Sequence, residues 1–256
     1  MLNQYFEARL ALVLVVFTSI SASTQLKPKP KHPAAAPTGA TCGSHCGTER
    51  WALKTLTDSG SAAVTSSALK ASSVSSLVAE QAPVQLPQST RISPIENQQF
   101  TIQAILIAWK QEAGAKGDQD FHLVIADPQD HTKTMIAEIP SPQCASACAS
   151  ASKNEFAAAR QVLITELGPA PHSLSATPVV PPRKVELTGV GFFDFDHGQD
   201  GLAPNCIEIH PVLKITVQGK EGTGAIDLPT GIAHTCVKTA GGHPKGGAHK
   251  PHGGVH

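Results

Sequence analysis

Residues 121–139 read FHLVIADPQDHTKTMIAEI, and this stretch decides the fold class. Apolar and polar side chains alternate at both of its ends, and Asp127-Pro128 forms a turn signal between them. Alternation on both sides of a turn is typical of an antiparallel hairpin with one packed face. His122 and Glu138 fall on the face opposite the apolar residues.

A strand is expected before this hairpin and a helix after it. Residues 100–110, FTIQAILIAWK, are rich in Ile, Phe, Trp and Thr, which is the composition of a strand. From Ser152 the apolar residues take helical spacing, and Glu155 completes a capping box. The pair Gly168-Pro169 ends this helix.

Two more strands are predicted after the helix, over residues 183–195 and 206–218. Gly189 and Gly191 lie within the first of them, where glycine commonly marks a bend or bulge at a barrel corner. The order strand, strand, strand, helix, strand, strand fits the five-stranded OB-fold. The sequence therefore predicts a mainly β, OB-fold-like barrel, with an uncertain extra strand over residues 51–56.

Segments of biased composition flank this domain. Residues 1–23 have an apolar run too short to span a bilayer, followed by small residues, as in a secretory signal; a buried helix is the alternative. Residues 24–48 are a Pro/Ala/Lys-rich tether, 49–218 the folded domain, and 219–256 a Gly/His-rich flexible tail. We expect a secreted or periplasmic protein without a transmembrane anchor once the signal is removed.

Cysteine usage agrees with export. Disulfides are expected rather than metal binding, because exported chains are oxidised and zinc sites more often use pairs two residues apart. Six cysteines allow 15 pairings, and the sequence does not choose among them. They are Cys42, Cys46, Cys144, Cys148, Cys206 and Cys236.

The folded part of the chain is acidic. Residues 91–218 contain 9 Lys and Arg against 14 Asp and Glu. Nucleic-acid binding draws most of its affinity from neutralised phosphates, and this part of the sequence offers no basic stripe. A nucleic-acid partner is therefore not expected.

A resemblance to other proteins is carried by four motifs: RWALKTLTD, GDQDFHLVIADP, TMIAEIPSPQC and VELTGVGFFDFDHGQDGLAPNCIEIHPVLKI. The chain resembles an uncharacterised family of exported or short bacterial proteins over residues 49–217. Cys206 departs from the family pattern, which has Gly after Asn205, and a disulfide from Cys206 to Cys236 or Cys148 would explain the change. The resemblance implies the domain limits and brings no activity.

On the OB-fold interpretation, both ligand-binding loops are acidic. Oxygen-rich loops suit Ca²⁺ or Mg²⁺, and an added imidazole suits a transition metal; a cationic ligand would fit as well. Asp196, His197 and Asp200 are the metal candidates, and a divalent cation is the cofactor they suggest. The alternative is that these are ordinary turn residues. The other loop candidates are Asp118, Asp120 and Asp194.

A second candidate site follows from strand phase. His122, Glu138, Glu208 and His210 all lie opposite the apolar faces of their strands. On neighbouring strands, two imidazoles and two carboxylates would serve as general acid and base or would hold zinc. The alternative, which alternation alone favours, is a solvated outer face.

The function expected from these features is a secreted, non-catalytic binding module for an unknown small ligand or an envelope component, assisted by a metal. A metal-dependent hydrolase of the nuclease type on an OB barrel is the first alternative, and a structural envelope protein is the second. The sequence contains no nucleophile elbow, and neither acidic loop contains an arginine to hold a phosphate. Whether the protein is an enzyme stays open.

Overall fold

In the part of the chain that the structure describes, six strands form one mixed sheet. The computed structural model describes residues 42–43, 46–112 and 118–237. The predicted signal peptide (1–23), most of the predicted tether (24–48) and the end of the predicted tail (238–256) lie outside these residues. The strands are β1 (Lys70–Ser72), β2 (Gln99–Gln111), β3 (Phe121–Ala126), β4 (Thr134–Ile139), β5 (Thr177–Phe193) and β6 (Ile207–Lys220). The helices are α1 (Trp51–Lys54), α2 (Ser61–Thr65), α3 (Val74–Val78), α4 (Ala145–Ala149) and α5 (Lys153–Leu167), with a 3-10 turn at Ile95–Asn97.

The strand pairings form a closed circuit. Neighbouring strands follow the order β1-β2-β3-β4-β6-β5, and β2 pairs with β5 as well. The pairings thus lead from β2 through β3, β4, β6 and β5 back to β2. β1 is parallel to β2 and β4 is parallel to β6, while the other neighbours are antiparallel. The mainly β class predicted from the sequence is confirmed.

The element order differs from the prediction at the start of the domain. Residues 51–56, predicted as a strand, begin with the helix α1. Ala, Leu and Lys are strong helix formers, and alternation over so few residues also fits one helical turn. β1 lies in a Ser-rich segment and its first two residues are exposed, so no alternation marks it in the sequence. The sheet consequently has six strands rather than five.

The central hairpin and the helix lie where they were predicted. β3 and β4 are antiparallel, and His122 is directly opposite Glu138. The apolar face of α5, which includes Phe156 and Leu163, is buried. The side chain of Ser152 does not cap α5; its backbone oxygen accepts a hydrogen bond from the Phe156 amide at 3.1 Å.

β5 is longer than predicted and contains the expected bulges. It begins at Thr177 rather than near residue 183. The prolines in this segment do not prevent an extended strand, because the fixed φ of proline is compatible with extended backbone. The missing N–H of proline is tolerated where the neighbouring strand needs no hydrogen-bond donor. Its register against β6 shifts on both sides of Gly189. A Cβ at Gly189 would collide with the Ile209 side chain, so the close approach of the two strands requires glycine there.

All six cysteines form disulfide bonds. The pairs are Cys42–Cys148, Cys46–Cys144 and Cys206–Cys236. The prediction of disulfides is confirmed, and Cys236 is the partner of Cys206. Three disulfides fit an extracellular or periplasmic protein. Among the described residues, none of the helices is both long and apolar enough to cross a bilayer.

The C-terminal segment continues past the predicted domain boundary at residue 218. β6 ends at Lys220, and later residues return to the loop that precedes β6. The Thr235 amide donates a hydrogen bond to the Pro204 carbonyl at 2.8 Å, and the Asp196 amide donates to the Val237 carbonyl at 3.2 Å. With the Cys206–Cys236 bond, these contacts hold residues 235–237 against the domain.

A buried ion pair joins the start of α1 to the strands. The guanidinium of Arg50 donates two hydrogen bonds of 2.7 Å to the Glu96 carboxylate, and both side chains are completely buried. Arg50 also donates to the Phe193 carbonyl at 2.5 Å, and Glu96 accepts from the Phe193 amide at 3.0 Å. This pair therefore attaches both the N-terminal segment and the 3-10 turn to the end of β5.

Glu96→Gln should destabilise the protein strongly, because it leaves the Arg50 charge buried without its counter-charge. We expect the free energy of unfolding to fall by about 3–5 kcal/mol in urea denaturation. Lys133→Ala is the matched control, since it breaks an exposed pair with Asp130 of 3.5 Å; it should change stability by less than about 1 kcal/mol. Equal effects of the two substitutions would contradict this role of the pair.

Candidate functional site

The polar face of the hairpin and of β6 is buried. His122, Glu138, Glu208 and His210 expose at most 4% of their surface. β4 lies beside both β3 and β6, so the three strands that carry these residues are neighbours, as the second candidate site required. The alternative of a solvated outer face is wrong.

The loop between β5 and β6, residues 194–206, covers this face. Gly201 packs against Val124 of β3, and Leu202 packs against Ile136 of β4. The Asp200 carbonyl oxygen lies 3.1 Å from Nε2 of His122. Strand alternation indicates which side chains share a face but not whether another segment covers that face, so the sequence could not reveal this burial.

Glu138 lies between the two imidazoles. Its Oε1 is 2.9 Å from Nδ1 of His122, and its Oε2 is 3.2 Å from Nδ1 of His210. Nδ1 of His210 is also 3.1 Å from Oε1 of Glu208. One carboxylate thus links both histidines into a single buried network.

Asp120 faces the other nitrogen of His210. Its Oδ2 lies 3.3 Å from Nε2 of His210, and both residues have no exposed surface. Neither atom makes a well-directed hydrogen bond within the described part of the chain. The second oxygen of Asp120 accepts a hydrogen bond from the Ser141 amide at 3.0 Å. Two buried polar atoms therefore face each other without proper hydrogen bonds.

Lys54 and Asp194 form an ion pair beside the network. The Lys54 ammonium lies 2.6 Å from Oδ2 of Asp194, and both side chains are buried. Burial would lower the pKa of Lys54, but Asp194, Glu208 and other nearby carboxylates hold it well above its usual value. Oδ1 of Asp194 has no hydrogen-bond partner among the described residues.

Burial and mutual contacts shift the pKa values of the two histidines and of Glu138. Burial alone would lower the pKa of His210, but the neighbouring carboxyl groups of Asp120, Glu138 and Glu208 raise that pKa well above the usual value. The pKa of His122 is also raised, because its bond to Glu138 outweighs burial. Burial would raise the pKa of Glu138, yet hydrogen bonds from both histidines hold it well below its usual value.

The remaining carboxyl groups retain protons more readily. Burial, together with the charges of Asp194 and Glu138, raises the pKa of Glu208 to about 7. Burial and the charge of Asp120 raise the pKa of Asp118 to about 8. Burial raises the pKa of Asp120 too, against the opposing effect of His210.

The cluster contains more carboxyl groups than permanently charged cations. Its permanent cations are Lys54 and Arg160, and burial lowers the pKa of Arg160 to about 10. Five carboxyl groups interact with them: Asp118, Asp120, Glu138, Asp194 and Glu208. Protonated His122 and His210, together with the protons that Asp118 and Glu208 retain, offset the charge of the other carboxylates.

The metal candidates of the β5–β6 loop make separate contacts. The Asp196 carboxylate accepts a hydrogen bond from the Gly198 amide at 2.9 Å, as expected of a turn residue. His197 lies 2.8 Å from Glu49, and the Asp200 carboxylate accepts from the Ala176 amide at 2.8 Å. These three side chains have different partners and do not converge.

Two other groups bring metal-ligating atoms together. Within the described residues they are Asp120, Glu138 and His210, and Glu112, His122 and Glu138; in each group one ligand atom per residue lies within 4.8 Å of the others. Glu112 was missed from the sequence because it lies at the end of β2 beside a charged, Gly-rich loop, where a lone Glu carries no signal.

Comparisons of the chain with protein-family models, with curated proteins and with solved structures found no match. The assignment of a function therefore depends on the geometry of the site alone.

Gly201→Ala should loosen the cover of the site. Gly198 and Gly201 both have positive φ, 69° and 77°, so alanine strains the backbone at either position. A Cβ at Gly201 would also collide with Val124, whereas a Cβ at Gly198 meets nothing within 4 Å. We expect Gly201→Ala to lower the free energy of unfolding by about 1–3 kcal/mol more than Gly198→Ala, measured in urea. Identical losses would mean that the loop does not pack tightly on β3.

Proposed function

We propose that the protein is an exported, non-catalytic binding module on an OB-fold-like barrel, and that its ligand is a divalent transition-metal ion. Without β1, the pairing circuit follows the strand order 1-2-3-5-4 and returns to strand 1, which fits an OB-fold-like barrel. Export is supported by the three disulfides and by the signal-like composition of residues 1–23. The bacterial family resemblance agrees with this assignment.

The facing atoms of Asp120 and His210 carry the proposal. Buried polar atoms almost always have hydrogen-bond partners, so this pair needs another explanation. An ion bound through bonds of about 2.0 Å in tetrahedral geometry has ligand atoms roughly 3.3 Å apart. The separation of Oδ2 and Nε2 is 3.3 Å. Asp120, His210 and Glu138 together offer one ligand atom each within 4.8 Å of one another.

The ligand types indicate the class of ion. Calcium and magnesium take oxygen ligands, usually several of them with water, whereas imidazole nitrogen suits zinc and neighbouring transition metals. The proposed site combines one imidazole with two carboxylates and lies beside two further carboxyl groups, Asp118 and Glu208. We therefore place zinc, manganese and cobalt ahead of calcium.

Burial favours binding over catalysis. A catalytic metal keeps a position open for water and substrate, but Asp120 and His210 have no exposed surface. Two arginines that a phosphoryl hydrolase would use as clamps are occupied, since Arg50 pairs with Glu96 and Arg91 pairs with Asp58. A binding module agrees better with these contacts than the metal-dependent hydrolase. A structural envelope protein would have no need of an ion.

Asp120→Asn should remove the site while keeping its shape. In calorimetric titrations of the metal-free chain with Zn²⁺ or Mn²⁺, we expect it to weaken the tight binding event by more than about 100-fold, since even groups outside the ligand shell typically contribute about 10–100-fold. Asp196→Asn is the matched control and should bind like the wild type. Circular dichroism of both variants checks that they fold.

Any weak binding by the tail histidines is common to all of these chains, so the difference between the wild type and Asp120→Asn is the relevant quantity. These histidines are His243, His249, His252 and His256. The same isotherm for both chains, or loss of binding only in Asp196→Asn, would refute the proposed site.

A further inference from the structure

A buried lysine and a buried aspartate lie in contact between the end of α1 and the end of β5. Nζ of Lys54 is 2.6 Å from Oδ2 of Asp194, and their side chains are 8% and 2% exposed. We infer that these two side chains condense to an amide, which crosslinks the N-terminal segment to the residue after β5. This covalent modification goes beyond the proposed function and does not depend on a bound ion.

The burial of the carboxyl group distinguishes this pair from the other ion pairs of lysine in the described part of the chain. Lys110 pairs with Glu112, whose side chain is 28% exposed, and the pairs of Lys133 and Lys184 are more exposed still. The other buried pairs of a basic side chain with a carboxylate contain arginine, whose guanidinium stays protonated and offers no amine. Of the described lysines in ion pairs, Lys54 is therefore the one that joins an amine to a carboxyl group shielded from water.

Backbone contacts hold the two groups in place. The guanidinium of Arg50 donates to the Phe193 carbonyl at 2.5 Å, and the Lys54 amide donates to the Arg50 carbonyl at 3.1 Å. The Asp194 amide donates to the Cys206 carbonyl at 3.0 Å. A side-chain contact of 2.6 Å brings the nitrogen to about 3–3.5 Å from Cγ, the separation of a near-attack geometry. Groups oriented in this way react as if their concentration were about 10⁵–10⁸ M.

The condensation balances without an oxidant or a further reactant. One proton passes from the ammonium to Oδ2 along the hydrogen bond, which leaves an amine and a carboxylic acid. The amine nitrogen then attacks Cγ and forms the C–N bond. The bond from Cγ to Oδ2 breaks, and Oδ2 leaves as water with the proton it received and a second proton from the nitrogen. The products are a neutral amide and one water.

The charge of the lysine is compatible with this step. Burial disfavours the ammonium form of Lys54, but Asp194 and other nearby carboxylates favour it and hold its pKa well above the usual value. The reaction does not release this proton to solvent, because the proton moves only to the hydrogen-bonded carboxylate. A buried ion pair is costly to desolvate, and its conversion to an amide removes both charges.

The second oxygen of Asp194 gives independent support. Oδ1 is buried and has no hydrogen-bond partner within the described residues. An unpartnered buried oxygen is more costly in a charged carboxylate than in a neutral amide carbonyl. The completely buried ring of Phe192 has its centre 5.6 Å from Nζ of Lys54 and helps to keep water from the bond. The amide is thus protected from hydrolysis once it has formed.

Peptide mapping of the full chain by mass spectrometry tests the inference. After reduction and alkylation, trypsin should release residues 51–70 joined to residues 185–214, with a mass one water below the sum of the two peptides. Cleavage after Lys54 should be lost, because trypsin requires a free lysine side chain. Lys110 and Glu112 are the internal control and should show no loss of water.

Lys54→Arg is the matched variant, because it keeps an ion pair with Asp194 but offers no amine. It should give separate peptides and a lower melting temperature, since a crosslink restricts the unfolded chain as a disulfide does. Wild-type protein that is cleaved after Lys54, with all peptides at their sequence masses, would overturn the inference, as would a joined peptide in Lys54→Arg. The wild-type map decides the question even where a variant fails to fold.

Discussion

The arrangement of one carboxylate between two imidazoles governs the rest of this structure. Placing Glu138, His122 and His210 on one sheet face makes that face costly to bury unless each charge meets an opposite one. The network meets this condition by sharing Glu138, and it thereby allows the β5–β6 loop to lie on top. The cover in turn excludes water, which strengthens every ionic contact beneath it. Fold and site are therefore coupled through a single side chain.

Much of the sheet could be predicted, because it depends on patterns within short segments of the sequence. Alternation in residues 121–139 sets the hairpin register and so places His122 opposite Glu138. Helical spacing defines α5, and the glycines of β5 mark its bulges. The helix α1 was not predictable, because four residues give too short a pattern to distinguish one helical turn from a strand. Its position depends on Arg50, whose partner Glu96 is distant in the sequence.

Most residues of the site could be predicted from the sequence, but their burial could not. Four of the residues that share strand phase do converge, yet the loop aspartates that looked most like metal ligands mainly form turn and backbone contacts. Asp and Gly are common both in turns and in ion-binding loops, so the composition of a loop does not show which of the two it is. Burial distinguishes them, and burial here comes from contacts such as that of Gly201 with Val124, which join residues far apart in the chain.

The bond between Cys206 and Cys236 has a consequence for when the protein matures. It fastens the last residue of the loop to a segment near the end of the described chain, and that segment is synthesised after every residue of the buried network. In a reducing compartment, the loop would cover the network without this disulfide to hold it. The cover over the network is therefore fastened only under oxidising conditions, after both the loop and the C-terminal segment have been synthesised.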